Sequence, residues 1–256
     1  MSILDTITGT TRERVAREKK LGLPDAITAT RPPFLFEESL RKAGMSFICE
    51  VKKASPSKGV IAEDFPHLDI AKEYEQAGAS ALSILTEPEF FLGSNTFLSE
   101  IRTVVDAPLL RKDFVVDVFQ IEQTARLGAD ALLLICAILE PTQLSEYIAA
   151  AQALGLSCLV EAHDEAELEV ALNAGARIIG VNNRDLKTFE VDTGNSIRLR
   201  KLVPPNVPFV SESGIRTAND VQLLRSSGVD AVLIGETLMR AADKAAALEE
   251  LRGGKS

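Results

Sequence analysis

Cysteine is scarce in this chain of 256 residues: Cys49, Cys136 and Cys158 are the only three, and each lies inside an apolar run. Thiols so placed pack as small hydrophobes, and a disulfide-stapled miniprotein is excluded. Histidine is scarcer still. His67 and His163 lie far apart in the sequence, so no metal cluster is expected, and both are read as surface or helix-start residues. Long apolar runs are also missing. Ala131–Leu139, bounded by Asp130 and Glu140, covers about half of the ~20 residues that a membrane-crossing helix requires. The N-terminal segment interleaves Arg12, Glu13, Arg14, Arg17 and Glu18 with its apolar residues and so lacks the apolar stretch of a signal peptide. Basic charge is in deficit, with 28 Lys and Arg against 37 Asp and Glu, a net charge of −9. Such a balance opposes attraction to DNA or anionic membranes but leaves room for local sites that bind small anions. The expectation is a soluble cytoplasmic protein with neither nucleic acid nor membrane as partner.

What the chain does have is apolar material for a large core: 46% hydrophobic residues, 25% charged and a mean hydropathy of +0.09. From residue 46 onward, short runs rich in Ile, Leu and Val alternate with stretches of helical period. The strand candidates are Ser46–Lys52, Ser80–Leu85, Pro108–Asp113, Asp130–Ile135, Ser157–Glu161, Arg177–Asn182, Pro208–Ser213 and Asp230–Gly235. They are apolar on both faces, as strands of a buried parallel sheet must be. Between them, Ile70, Ala71, Tyr74 and Ala77 recur at helical spacing before Gly78, and Ile121, Ala125 and Leu127 before Gly128; a glycine there ends a helix in the left-handed region. About eight βα units predict an α/β fold, a single (β/α)8 TIM barrel over residues 46–256. An open doubly wound sheet would more often carry fewer units.

Residues 1–45 are surplus to that barrel. They hold helical stretches at Ile3–Leu21 and Phe36–Lys42, separated by Pro24 and Pro32-Pro33. Leaving Phe34, Leu35 and Phe36 in water would be costly, so this N-terminal helical extension is expected to dock on the barrel. Two docking modes remain open: a cover over the ligand site, or a plug at the bottom of the barrel.

Parallel barrels place function at the C-terminal ends of their strands, and the residues there are reactive types. By period two, Glu50 and Lys52 share a side with Ile48, Lys112 with Leu110, Glu161 with Leu159, and Asn182 with Gly180. If those sides face the barrel axis, two ammoniums and two carboxylates converge; the other register turns them toward the helices. Such a set suits general acid–base chemistry, since ammoniums can protonate or bind carbonyl and carboxylate oxygens while carboxylates remove protons or stabilise a cation. After the seventh and eighth strands, Ser213-Gly214-Ile215 and Ile234-Gly235-Glu236 each precede a helical stretch. Backbone N–H groups at such turns suit a phosphate, and glycine permits its close approach. The loop Lys53–Gly59 could fold over an anionic ligand but lacks the residue order of a P-loop.

Seven segments occur in one order along the barrel: CEVKKASPSKG (49–59), SILTEPEFFLGS (83–94), LLRKDF (109–114), LVEAHD (159–164), GVNNRDL (180–186), SESGI (211–215) and LIGETLM (233–239). On these the chain resembles the indole-3-glycerol-phosphate synthases. The resemblance implies ring closure of 1-(2-carboxyphenylamino)-1-deoxyribulose 5-phosphate with loss of carbon dioxide and water, in tryptophan biosynthesis, without a cofactor. It also implies that the partner is a small phosphorylated substrate.

Matched by motif, Lys112 resembles the general acid that protonates the ribulose carbonyl, and Glu161 the acid/base of the later dehydration. Lys52 resembles the lysine that binds the substrate carboxylate, with a second proton-donating role left open between the two lysines. Glu50 and Asn182 would position these groups and stabilise the iminium intermediate. Ser55, Arg184 and Ser213 resemble substrate-contacting positions, and Pro56, Phe91, Phe114 and Leu133 an apolar wall around the anthranilate ring. The phosphate would lie on amides near Gly214, Gly235 and Glu236. Glu236 stands where some members carry Ser, so its amide and not its side chain is assigned; Leu92 replaces a residue that is commonly polar. A phosphoribosylanthranilate isomerase would give no reason for the N-terminal extension, and a non-catalytic phosphate-binding barrel none for the Lys112/Glu161 pair.

Overall fold

The structure is a computed structural model that describes residues 2–27, 31–185 and 188–254. Eight parallel strands form a closed barrel: β1 Ser46–Val51, β2 Ala81–Leu85, β3 Leu109–Lys112, β4 Ala131–Ile135, β5 Ser157–Ala162, β6 Ile178–Asn182, β7 Phe209–Glu212 and β8 Ala231–Ile234. Each pairs with the next in the chain, and β1 closes the ring on β8 in the register Ser46↔Ala231 to Cys49↔Ile234. Every strand expected from the sequence is present, with ends displaced by no more than one residue. The architecture is a (β/α)8 barrel.

Period two along the strands builds two apolar layers. Cys49, Val51, Leu82, Ile84, Leu132, Val160 and Ile179 face outward and pack under the helices. Ile48, Leu110, Leu133, Leu159, Ile178, Val210 and Leu233 face the barrel axis. This register sets the fate of the polar strand ends, because Glu50, Lys112, Glu161, Asn182 and Glu212 each follow an inward residue by two and so point into the lumen. The three cysteines are buried and unpaired.

The two helices of the extension lie at opposite ends of the barrel. Helix α1 (Ile3–Leu21), capped by a Ser2–Asp5 capping box, lies over the C-terminal mouth of the barrel. Its Arg14 makes two hydrogen bonds to Asp113 at 2.8 and 3.0 Å, Lys19 pairs with Asp117 at 2.8 Å, and Glu18 accepts from Gln123. Helix α2 (Leu35–Leu40) closes the opposite end, where Phe36 and Leu40 join the inward layer. The amide of Glu37 donates to Ser157 Oγ, and its carboxylate pairs with Arg177 at 2.9 Å. The second helix is shorter than the Phe36–Lys42 read from the sequence, because the chain turns at Gly44 (φ +99°) to enter β1. Among the described residues, no helix is long and apolar enough to cross a membrane.

Candidate active site

The lumen is apolar up to one layer below the C-terminal mouth, where charge takes over. There a cavity of about 580 Å³ opens, and all fifteen residues singled out from the sequence line it. β1 supplies Glu50 and, just past its end, Lys52, which form an ion pair. β3 supplies Lys112, whose Nζ lies 4.0 Å from Glu161 Oε2 on β5. Asn182, the last residue of β6, donates from Nδ2 toward Glu161 Oε1 at 3.5 Å and accepts from Ser213 Oγ at 2.9 Å.

One residue that the sequence reading passed over sits at the centre of this cluster. Glu212, the last residue of β7, makes the direct ion pair with Lys112, and its Oε1 is buried without a hydrogen-bond partner. The signal was available, since Glu212 follows the inward Val210 by two residues, as Glu161 follows Leu159.

Three carboxylates therefore share two ammoniums in a buried space, and the imbalance sets their titration. Burial disfavours charge on Lys112, but Glu212, Glu161 and Glu50 outweigh it and hold the lysine pKa above its ordinary value. Burial likewise disfavours an ionised Glu50, yet Lys52 and Lys112 reverse the effect and lower its pKa. Glu212 is pushed up to about 7 by burial and by repulsion from Glu161 and Glu50, against the pull of Lys112. Its proton exchange is thus moved toward neutrality.

Two glycines make room for these charges. A Cβ at Gly180 would run into Glu212 Oε1, and one at Gly235 into Glu50 Oε2, with Lys52 Nζ at 2.8 Å. Gly235, where a phosphate is expected to approach closely, also leaves room for the Glu50 and Lys52 side chains.

Around the cluster the cavity has two characters. On one side Phe91 and Phe114 stand with ring centroids 6.0 Å apart, beside Pro56 and Leu133. Phe91 is fixed because the buried Glu87 carboxylate accepts from the amides of Glu89, Phe90 and Phe91, and the Phe91 carbonyl accepts from Ala54 N. The loop after β1 folds back through a short Ala54–Ser55/Gly59–Val60 ladder. This brings Ser55 and Lys58 to the rim, where Lys58 pairs with Glu236 at 3.6 Å. From above, Ile3, Leu4 and Ile7 of α1 complete the lining.

On the other side Ser213 (φ +68°) and Gly214 (φ +85°) are both left-handed, a strained backbone for Ser213. The following helix starts at Ala218, capped by Thr217. After β8, Gly235 caps a short helix, Glu236–Arg240. The Glu236 carboxylate is occupied by Arg240 at 3.1 Å as well as by Lys58. Burial disfavours its charge, but Arg240, Lys58 and Arg184 lower its pKa on balance. Arg184, at an isolated bridge to Val191, donates to the Phe189 carbonyl at 3.2 Å. Leu186, the last residue of the GVNNRDL segment, lies outside the described residues. The second asparagine of that segment, Asn183, is turned away from the cavity. It donates to Ser211 Oγ and the Ser213 carbonyl and accepts from Ser196, so it ties the ends of β6 and β7 together.

His163, read from the sequence as a surface or helix-start residue, does precede the helix Glu165–Asn173. Its ring, however, turns back toward Glu161, with Nε2 3.5 Å from Oε1.

Residues 4–251 match the family model for indole-3-glycerol phosphate synthase. The chain is 56% identical over 257 residues to the indole-3-glycerol phosphate synthase of Ruminiclostridium cellulolyticum, covering 98% of this chain and 99% of that one. It is 54% identical to the enzyme of the same description from Endomicrobium trichonymphae, with the same coverage. Among solved structures, a 3-hexulose-6-phosphate synthase superposes with a TM-score of 0.66 at 14% identity, over 83% of this chain and all of the other. A thiamine phosphate pyrophosphorylase from Pyrococcus furiosus gives 0.61 at 17% identity over 82% of this chain and 94% of its own; at such identities only the barrel fold is shared. With the match running through every strand that carries the charged cluster, the chain belongs to the indole-3-glycerol phosphate synthase family.

Proposed function

We propose that Lys112, Lys52, Glu50, Glu161, Asn182 and Glu212 carry the family's reaction, the decarboxylating ring closure of 1-(2-carboxyphenylamino)-1-deoxyribulose 5-phosphate to indole-3-glycerol phosphate. The observation that carries this reading is one buried layer of two ammoniums and three carboxylates at the mouth of an otherwise apolar lumen.

In the first step the aromatic carbon bearing the carboxylate attacks the ribulose carbonyl, and the oxygen takes a proton from Lys112. Its three carboxylate neighbours keep this lysine in the protonated form that the step consumes. Lys52 holds the substrate carboxylate, and Glu50 keeps the lysine in place. The positive charge that builds on the ring nitrogen side is stabilised by Glu50 and by the Asn182 carbonyl oxygen. Loss of carbon dioxide returns its bonding electrons to the ring. The hydroxyl then leaves as water and the carbon beside nitrogen gives up a proton, with Glu161 as acid/base. Glu212, titrating near 7 while paired to Lys112, returns a proton to that lysine after the first step.

Phe91, Phe114, Pro56 and Leu133 form the wall for the anthranilate ring. Ser55, Arg184 and Ser213 contact the polar part of the substrate, and the turns at Gly214 and Gly235-Glu236 take its phosphate on backbone amides. Helix α1 covers the bound substrate. Residues 1–45 thus serve as an extension docked on the barrel of residues 46–256 within one structural domain; of those spans, residues 1, 28–30, 186–187 and 255–256 lie outside the described ones. A cytoplasmic setting is supported by three buried, unpaired thiols.

The test is a steady-state assay following indole fluorescence and carbon dioxide release. Equimolar release is expected from the native chain, and Lys112→Ala should lose turnover by a factor of about 10²–10⁴. A folded Lys112→Ala variant that keeps more than about a third of the native kcat would remove Lys112 from the mechanism.

A further inference from the structure

Glu161 is buried at the C-terminal mouth of the barrel, and its strand position fixes only where its Cβ lies. Its carboxylate is held at long range: Lys112 Nζ is 4.0 Å from Oε2, and Asn182 Nδ2 is 3.5 Å from Oε1. A third group reaches it from behind. His163 Nε2 lies 3.5 Å from Oε1, and this nitrogen is buried with no hydrogen-bond partner. The imidazole is anchored at its other end. Nδ1 bonds to Glu167 Oε2 at 3.0 Å, the same oxygen accepts from the His163 amide at 2.8 Å, and the His163 carbonyl accepts from Asn195 Nδ2 at 2.9 Å.

We propose that His163 is a positioning residue for the ring-closure reaction: clamped by Glu167, it aims Nε2 at Glu161 Oε1 and fixes the direction in which that carboxylate presents itself to Lys112 and the substrate. This rests on the reading of Glu161 as the dehydration acid/base. The charged groups facing His163 are Glu161 from its own segment, Glu167 from the helix that follows and Glu212 from β7; the groups facing Glu161 are Lys112, Asn182, Glu212 and His163. Burial opposes charge on the imidazole, but the hydrogen bond to Glu167 and the Glu161 and Glu212 carboxylates push its pKa up to about 9. Near neutrality the ring is therefore an imidazolium, with an N–H to offer at both nitrogens. Held at its far end by Glu167, this imidazolium attracts Glu161 Oε1 from one side while the Asn182 amide donates to the same oxygen from another, so the two together narrow the rotamers open to the carboxylate; misplacing a reacting group by about an ångström costs up to about a hundredfold in rate.

The test is steady-state kinetics with 1-(2-carboxyphenylamino)-1-deoxyribulose 5-phosphate on His163→Gln, Glu167→Gln, Glu161→Gln and the double variant His163→Gln/Glu161→Gln. Glu167 lies at the edge of the site and a quarter exposed, so its substitution loosens the clamp even if His163→Gln folds poorly. Each of His163→Gln and Glu167→Gln should lower kcat about tenfold while KM stays within about twofold. The His163→Gln effect should vanish once Glu161 is already Gln, because a group acting through Glu161 has nothing left to position. Native kcat in both His163→Gln and Glu167→Gln, or an undiminished His163→Gln effect in the Glu161→Gln background, overturns the proposal. Native kcat in Glu161→Gln would instead sink the assignment of Glu161 itself.

Discussion

The two ends of the barrel lumen use the same eight strands to opposite purposes. At the N-terminal end the inward residues are Ile48, Leu110, Ala131, Leu159, Ile178, Val210 and Ala231, sealed by Phe36 and Leu40 of α2. Two residues further along, or four past Ile178, the inward positions become Glu50, Lys112, Glu161, Asn182 and Glu212. The lid over them is α1, held by the Arg14–Asp113 ion pair with side chains 9% and 0% exposed. The lower end loses water completely and gains stability from it. The upper end carries one carboxylate more than its ammoniums can match, a cost in folding that keeps a titrating group where the chemistry is. Asp113 shows how the two requirements are reconciled. It is also bound by the fully buried Arg111, which is gripped in turn by Thr86, Thr124, Gln123 and the Gln120 carbonyl, so the strand end that presents Lys112 is rigid.

Breaking the upper end alone should abolish chemistry and leave the fold. Lys112→Ala is expected to lower kcat by about 10²–10⁴-fold with the circular-dichroism spectrum preserved; loss of native signal would show that the upper layer also holds the barrel together. Breaking the lower end should do the converse. Phe36→Ala should cost about 3–5 kcal/mol in denaturant unfolding, while kcat and KM, measured where the variant is folded, stay within about twofold. A large change in kcat would mean that the plug is coupled to the site.

The two helices of the extension separate in the same way. Removing residues 1–30 deletes α1, with Ile3, Leu4 and Ile7 from the cavity lining, and should raise KM several-fold as contacts are lost and water enters. Unchanged kcat and KM would reduce α1 to scaffolding.

A finer comparison is the response to pH. Glu212 is raised from an ordinary 4.5 to about 7, so its folded form binds a proton that the unfolded chain has released. The stability this contributes is complete below about pH 4.5 and is lost as pH rises through 7. His163, raised from 6.5 to about 9, adds a second loss between those values. Melting temperature should therefore fall between pH 5 and 8, and Glu212→Gln should flatten the part below pH 7; an equally steep native-like fall in that variant would assign the titration elsewhere. The smallest effect expected is from inorganic phosphate, which at ten times its dissociation constant should raise the melting temperature by a few degrees. Gly214→Ala, whose Cβ would meet Val191 Cγ1 at 2.5 Å, should remove that shift. No shift in the native protein at saturating phosphate would reject the amide site.

The sequence by itself determined the barrel, since apolar runs of strand length alternating with amphipathic helices admit few other parallel arrangements, and their ends fell within a residue of the observed strands. It also determined which side chains share a strand face, because the period of two is local. What it could not decide was which face looks inward, since both are apolar below the mouth; that choice belongs to ring closure, which turns Ile48, Leu110 and Leu159, and with them Glu50, Lys112 and Glu161, toward the axis. The pairing of Glu212 with Lys112 and the space that Gly180 and Gly235 leave for their neighbours' carboxylates likewise depend on strands brought together across the lumen from distant parts of the chain. So does the division of labour between α1 and α2, because helical spacing records that a face will be buried but not which end of the barrel will bury it.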